Sequence, residues 1–196
     1  MYRAINQNFT GKSQFIEMFG DQQDNPLNLQ TSTLNDCCEF YSGTGFPNKY
    51  QGNVEGTYPF YKVGDISRNV QNGNVRLSCC ENYVEPDVVS AIKGIIIPED
   101  TVVFAKIGEA LRLNRRAITA RDCLIDNNAM GIKPGPMLDI MYFYQYMTMV
   151  DMGEFAGATA MPSVRKSTLE KIQILIPEKE HQEEFSLMRR QSDKSK

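Results

Sequence analysis

The sequence predicts an α+β fold: a twisted, mixed and antiparallel-rich β-sheet with short helices and one C-terminal amphipathic helix. Three observations predict it. Residues 94–132 hold several short β-branched runs separated by turns rather than by helical repeats. Residues 138–150 place apolar side chains at helical spacing, with aromatics all round, as a buried helix does. The chain has 196 residues, 41% of them apolar, which is enough to bury one core without disulfides or a structural metal.

The elements follow in order. Residues 12–20, KSQFIEMFG, read as the end of a helix that Gly20 stops. Residues 21–32 are a polar connector, and residues 42–57 a glycine-rich loop. YPFYKV, residues 58–63, is aromatic and β-branched and predicts a strand that Gly64-Asp65 ends. Asp65 is expected to cap the next turn with its carboxylate. Residues 67–79 are polar, with a turn at Asn72-Gly73. Residues 86–93 read as a short helix, with Pro86 in its first turn and Gly94 after its end.

Residues 94–97 and 101–107 are expected as strands about the turn Pro98-Glu99-Asp100. Residues 116–119, 123–125 and 129–132 continue the sheet, and Pro134, Gly135 and Pro136 close the block. After the buried helix comes a loop of small residues, 153–162, then a helical turn at 168–171. IQILI, residues 172–176, is a strand that Pro177 stops. Residues 178–190 form a charged amphipathic helix with Phe185 and Met188 on one side, and the last six residues should fray.

Several classes are excluded. A membrane span needs roughly 20 apolar residues, and Asp139 and Gln145 interrupt the longest apolar stretch. The N-terminus lacks the apolar run of a signal peptide, so a cytoplasmic location is the default. The five cysteines, two adjacent pairs and Cys123, suit reduced thiols rather than a disulfide framework. No C-x-x-C occurs, and the single histidine, His181, lies in the charged helix, so a zinc site is not expected.

Four segments then fall into a known order. SGTGFPNKYQGNVEGTYPFYKVGDIS is followed by IPEDTVVFAKIGEALRLNRRAIT, by DNNAMGIKP and by ATAMPSVRKSTLEKIQILIPEKEHQEEF. Together they resemble a target recognition domain of type I restriction-modification specificity subunits, over about residues 13–190. The first loop reads Ser-Gly-Thr-Gly-Phe-Pro where that family usually has Ser-Gly-Gly-Thr-Pro. The resemblance implies three parts: residues 1–20 as the remnant of a preceding spacer helix, 21–176 as the recognition domain, and 177–196 as the start of a spacer helix. It implies a chain cut at both helices, as a half-subunit or fragment. It also implies double-stranded DNA recognition without catalysis or cofactor. The domain reads about half of a split site, to which partner methyltransferase subunits, modifying adenines, and a restriction subunit are directed. Phe185 and Met188 would then face a partner helix, in a second recognition domain or a second copy.

The residues carry part of this expectation themselves. The net charge is −3, yet residues 101–121 sum to +4 and residues 81–100 to −4. A basic stretch on an acidic body suits a one-sided DNA face, because neutralising phosphates releases counterions. Reading bases needs Arg for guanine and Asn or Gln for adenine. The expected hairpin tip supplies Arg112, Asn114, Arg115 and Arg116, with Lys106 on its first strand. The first loop adds Thr44, Lys49 and Tyr50; Lys62 and Arg68 follow; Ser163, Arg165 and Lys166 form a further polar loop.

Two other readings compete. The first is an assembly module that pairs through its terminal helix, or a silent cassette, with no DNA binding of its own. The second is an S-adenosylmethionine-dependent methyltransferase, for which Ser42-Gly43-Thr44-Gly45 could cradle the cofactor. The chain has no Pro-Pro for the catalytic segment of an adenine methyltransferase, and its strands do not alternate with helices. A P-loop is excluded because no G-x-x-x-x-G-K-[ST] occurs.

Overall fold

A computed structural model describes residues 11–156 and 161–194. Residues 1–10 of the expected helix remnant, 157–160 of the small-residue loop and 195–196 of the tail lie outside them. The fold is α+β, with its strands divided among three sheets. The largest has the order β2 (Cys38–Ser42), β8 (Ala129–Pro134), β5 (Val102–Ala105), β6 (Ala117–Ile118), antiparallel throughout. A second joins β4 (Tyr83–Val84), β3 (Tyr58–Tyr61) and β7 (Leu124–Ile125), with β3 antiparallel to β4 and parallel to β7. The third is an antiparallel ribbon of β1 (Gln30–Thr33) and β9 (Gln173–Ile176).

Three helices cover the main core. Phe15 and Phe19 of α1 (Gly11–Phe19), Tyr142 of α6 (Ile140–Met149) and Phe185 of α8 (Lys179–Lys194) form one aromatic cluster. The Tyr142 ring lies 5.0 Å from Phe15 and 4.9 Å from Phe19, and Phe15 lies 5.5 Å from Phe185. Such pairs add to the burial of their own area. Asp139 starts α6, its carboxylate accepting the amides of Met141 at 2.7 Å and Tyr142 at 3.2 Å. The helix carries aromatics all round because Tyr142 and Tyr146 turn their hydroxyls onto the Leu175 and Gln173 carbonyls of β9. Burial without an ionic partner pushes both phenols up.

The C-terminal helix corrects one expectation. Phe185 does not face a partner chain; it is buried against Phe15 and Phe19. Met188 is turned the same way, and its sulfur accepts a hydrogen bond from Gln14 of α1 at 3.0 Å. The apolar side of α8 is therefore consumed within this chain. Gln182 locks the helix down, accepting the Asp139 amide at 2.8 Å and donating to Met137 and Pro177 carbonyls.

Three further expectations change. Residues 94–97 are not a strand: only Ile97 pairs, with Cys123, and the Ile95 amide goes to the Thr44 hydroxyl at 3.0 Å. Val63, expected to end a strand, instead opens a helix, α3 (Val63–Gln71), that takes in Gly64-Asp65 and the start of the polar stretch 67–79. Its helical spacing is carried by Val63, Ile66 and Val70, which pack beneath Leu77 and Tyr61. Asp65 caps it by reaching back to the Lys62 amide at 2.8 Å. Buried Asn69 holds the return, accepting the Ser78 and Cys79 amides at 2.9 and 3.1 Å. Finally, the polar connector contains β1, whose QTST carries no apolar alternation because two of its four side chains are exposed. The short helices α2 (Leu34–Cys37), α4 (Pro86–Ala91) and α7 (Lys166–Leu169) fill the remaining turns. All five cysteines are free thiols.

Candidate nucleic-acid interface

The register of the large sheet assembles the site. β2 runs toward Ser42, which pairs with Met130, and β5 runs toward Ala105, which pairs with Ala129. The ends of β2 and β5 and the start of β8 therefore share one edge. The first loop, 43–57, leaves from it, as do Lys106-Ile107 ahead of α5 (Gly108–Arg112) and the turn Asp126–Ala129.

Backbone hydrogen bonds tie these loops to one another. The Thr44 amide donates to Ile125 at 2.8 Å, and the Lys106 amide donates to Asn128 at 2.8 Å. The segment before α7 joins the same edge: Gly108 donates to Pro162 at 2.8 Å and Val164 to Lys106 at 2.9 Å. Ser163 pairs with Ile107. Cross-bonded loops of this kind present side chains without first having to order themselves.

Several expected residues stand on this edge. Lys49 is exposed, with its ammonium 4.6 Å from the centre of the Tyr50 ring. Lys62 is half-buried, donates to Gln51 of the first loop and lies 5.8 Å from the Phe46 ring. Phe46 in turn stacks on Phe60 at 3.8 Å, which folds the loop back onto the sheet. Ser163, Arg165 and Lys166 are exposed, with Lys166 over Phe40 and 3.5 Å from Glu170. Lys106 is half-buried, and neither it nor Arg165 forms an ion pair among the described residues.

Other residues do not belong to a free DNA face. The expected hairpin tip is α5 followed by a left-handed turn at Asn114, whose φ is 51°. The Asn114 side chain is already occupied: its amide donates to Val150 at 3.0 Å, and its oxygen accepts from Met152 and Arg116. Arg116 is buried, 2% exposed, with its guanidinium 4.9 Å above the Phe104 ring. Burial pulls its pKa down to about 10, and its Nε has no hydrogen-bond partner among the described residues. Both residues hold the fold, so their expected DNA contacts are corrected. Thr44 is also buried, its hydroxyl taken by the Ile95 amide. Arg68 is bound to Asp65 and lies 3.0 Å from Glu81. Arg112 stays exposed, with Glu109 at a loose 3.7 Å, and Arg115 is half-buried.

Comparisons with known proteins bear on the family and the fold. A family model described as the type I restriction modification DNA specificity domain matches residues 26–186. The chain belongs to that family. The specificity domain shares its fold with solved structures. An HsdS subunit from Thermoanaerobacter tengcongensis superposes with a TM-score of 0.66 at 14% identity, over 94% of this chain and 42% of that one. A chain from a study of complex assembly and conformational transition of the type I R-M system gives 0.64 at 15%, over 93% and 44%. The type I S subunit from M. genitalium gives 0.55 at 12%, over 84% and 39%. The chain thus spans about two-fifths of the length of each of these three chains. No curated protein sequence matches it. No helix among the described residues is long and apolar enough to cross a membrane.

The sequence reading of this specificity domain missed Phe46 and Phe40, whose rings lie beside lysines of the interface, and the exposed pair Asn127 and Asn128. The dipeptide Asn127-Asn128 between two predicted strands marks a turn. What it could not show is which other loops that turn would meet.

Proposed function

We propose that this specificity domain binds double-stranded DNA through the edge formed by the first loop, Lys62, Lys106 and residues 163–166. It reads about half of a split sequence and directs adenine methyltransferase and restriction subunits to that site. One observation carries the reading: the β2–β8–β5 register brings separate cationic and polar loops onto one edge of a sheet. Lys49, Lys62, Lys106 and Arg165, which form no ion pair among the described residues, suit phosphates, and the polar side chains between them suit base edges. A second recognition domain or a second copy, joined through α8, completes a two-part site at a fixed spacing. Because Phe185 and Met188 are occupied within the chain, such joining uses the outward face of α8, where Leu187 is exposed.

The test is selection from a random duplex pool with the chain bound to its methyltransferase partner. Enrichment of a short motif, or of two copies at one spacing, is the expected result. A complex that forms and enriches nothing leaves an assembly module and removes DNA reading.

A further inference from the structure

We infer that Asn127 and Asn128 are specificity-determining residues that read adenine through their side-chain amides. The inference rests on the DNA-binding reading above and names the base it takes. Both residues occupy the centre of a β-turn, in which the Ala129 amide donates to Asp126 at 3.0 Å. Neither has a positive φ, so the turn is of the common type with Asp at its first position.

That turn is bolted on every side. One Asp126 carboxylate oxygen accepts the Asn128 amide at 2.8 Å, and the other accepts the Val63 amide at 3.0 Å. The Asp126 amide donates to Tyr61 at 3.0 Å, and the Asn128 carbonyl accepts from Lys106 at 2.8 Å. Gly43 lies so close that an added Cβ would sit 1.7 Å from the Asp126 carbonyl oxygen. The backbone is thus fixed against the first loop, the start of α3 and the end of β5.

The side chains are not. Both asparagines are exposed, and neither side-chain amide forms a hydrogen bond among the described residues. Asn114 is the opposite case, with its amide capacity consumed inside the fold. A side-chain amide pairs with adenine through two parallel hydrogen bonds, at N6 and N7. It can do so only if it is rigidly carried and not already bonded. Lys62 and Lys106 flank the turn, each adjacent in sequence or by hydrogen bond to a residue that anchors it. That is where phosphate contacts would seat the duplex.

The experiment repeats the selection with the same complex carrying Asn127→Ala or Asn128→Ala, and with Asn127→Gln and Asn128→Gln as second variants. Melting curves are expected to match the wild type, because neither side chain is bonded. The expected result is a motif in which one A·T position loses its preference by roughly ten- to hundredfold while the other positions are kept. A motif unchanged in all four variants overturns the inference. Uniform weakening at every position with the motif preserved overturns it too, because that is phosphate contact. If the wild type itself enriches no motif, the DNA-reading proposal fails and this inference with it.

Discussion

Arg116 carries a charge inside the fold without a carboxylate ion pair among the described residues. The Phe104 ring, the Asn114 oxygen and the carbonyls of Arg115 and Val150 hold it. Removing the side chain leaves a cavity and strips those acceptors of their donor. Arg116→Ala is therefore expected to lower stability by about 2–4 kcal/mol. Arg116→Met fills the space without burying a charge, and its loss should be clearly smaller. Urea midpoints compare the two. A phosphate contact at this position would instead leave stability near wild type and reduce the salt dependence of DNA binding.

At the scale of the element, α8 separates two kinds of apolar residue two positions apart. Phe185 closes the aromatic cluster of α1 and α6, whereas Leu187 is 59% exposed. Phe185→Ala should cost about 3–5 kcal/mol. Leu187→Ala should stay within about 0.5 kcal/mol in the isolated chain. Denaturant unfolding of both variants checks the pair. Equal effects would mean that α8 does not pack on the body as described. The helix thus has its own domain as its first partner, and any further partner must use what is left outside.

For the whole molecule, the net charge is −3, so the proposed DNA contact depends on the few cations gathered at this one edge, Lys49, Lys62, Lys106, Arg165 and Lys166. Lys106→Ala and Arg165→Ala should each weaken binding across all sequences. Each should also lower the slope of log affinity against log salt by about one. An unchanged slope in the double variant would remove this edge from the DNA face. The buried thiols and phenols set the alkaline limit. Burial raises Cys80 from 9.0 to about 11 and pushes Cys123, Tyr61, Tyr142 and Tyr146 well above their ordinary values. These groups stay protonated when folded and ionise sooner when unfolded. Their contribution is full below pH 9 and is lost as the pH rises toward 11 and beyond. A melting temperature that is level to about pH 8.5 and falls above pH 9 is the expected profile. A rise over that range would contradict the burial of these groups.

The sequence by itself determined the α+β class, the buried aromatic helix after residue 138, the β9 strand, the amphipathic terminal helix and the family resemblance. Each rests on local signals: spacing of apolar residues, Asp and Pro at helix starts, Gly and Pro at stops, and motif order. The strand β1 and the helix α3 escaped because their patterns are short and mostly polar, so burial against distant partners decided them. Of the candidate interface, Lys49, Ser163, Arg165 and Lys166 were legible as polar groups on loops, whereas Lys106, expected on a strand, lies just past the end of β5. Thr44, Asn114 and Arg116 were not legible, because residue type says what a side chain can bond and nothing about whether it is already bonded. Tertiary structure alone decided that. It consumed Asn114 and Arg116 in holding residues 150–152, and it left Asn127 and Asn128 unspent beside Lys106. The physical reason is that hydrogen-bond capacity and charge are allotted by contacts between segments far apart in the chain, which no local pattern records.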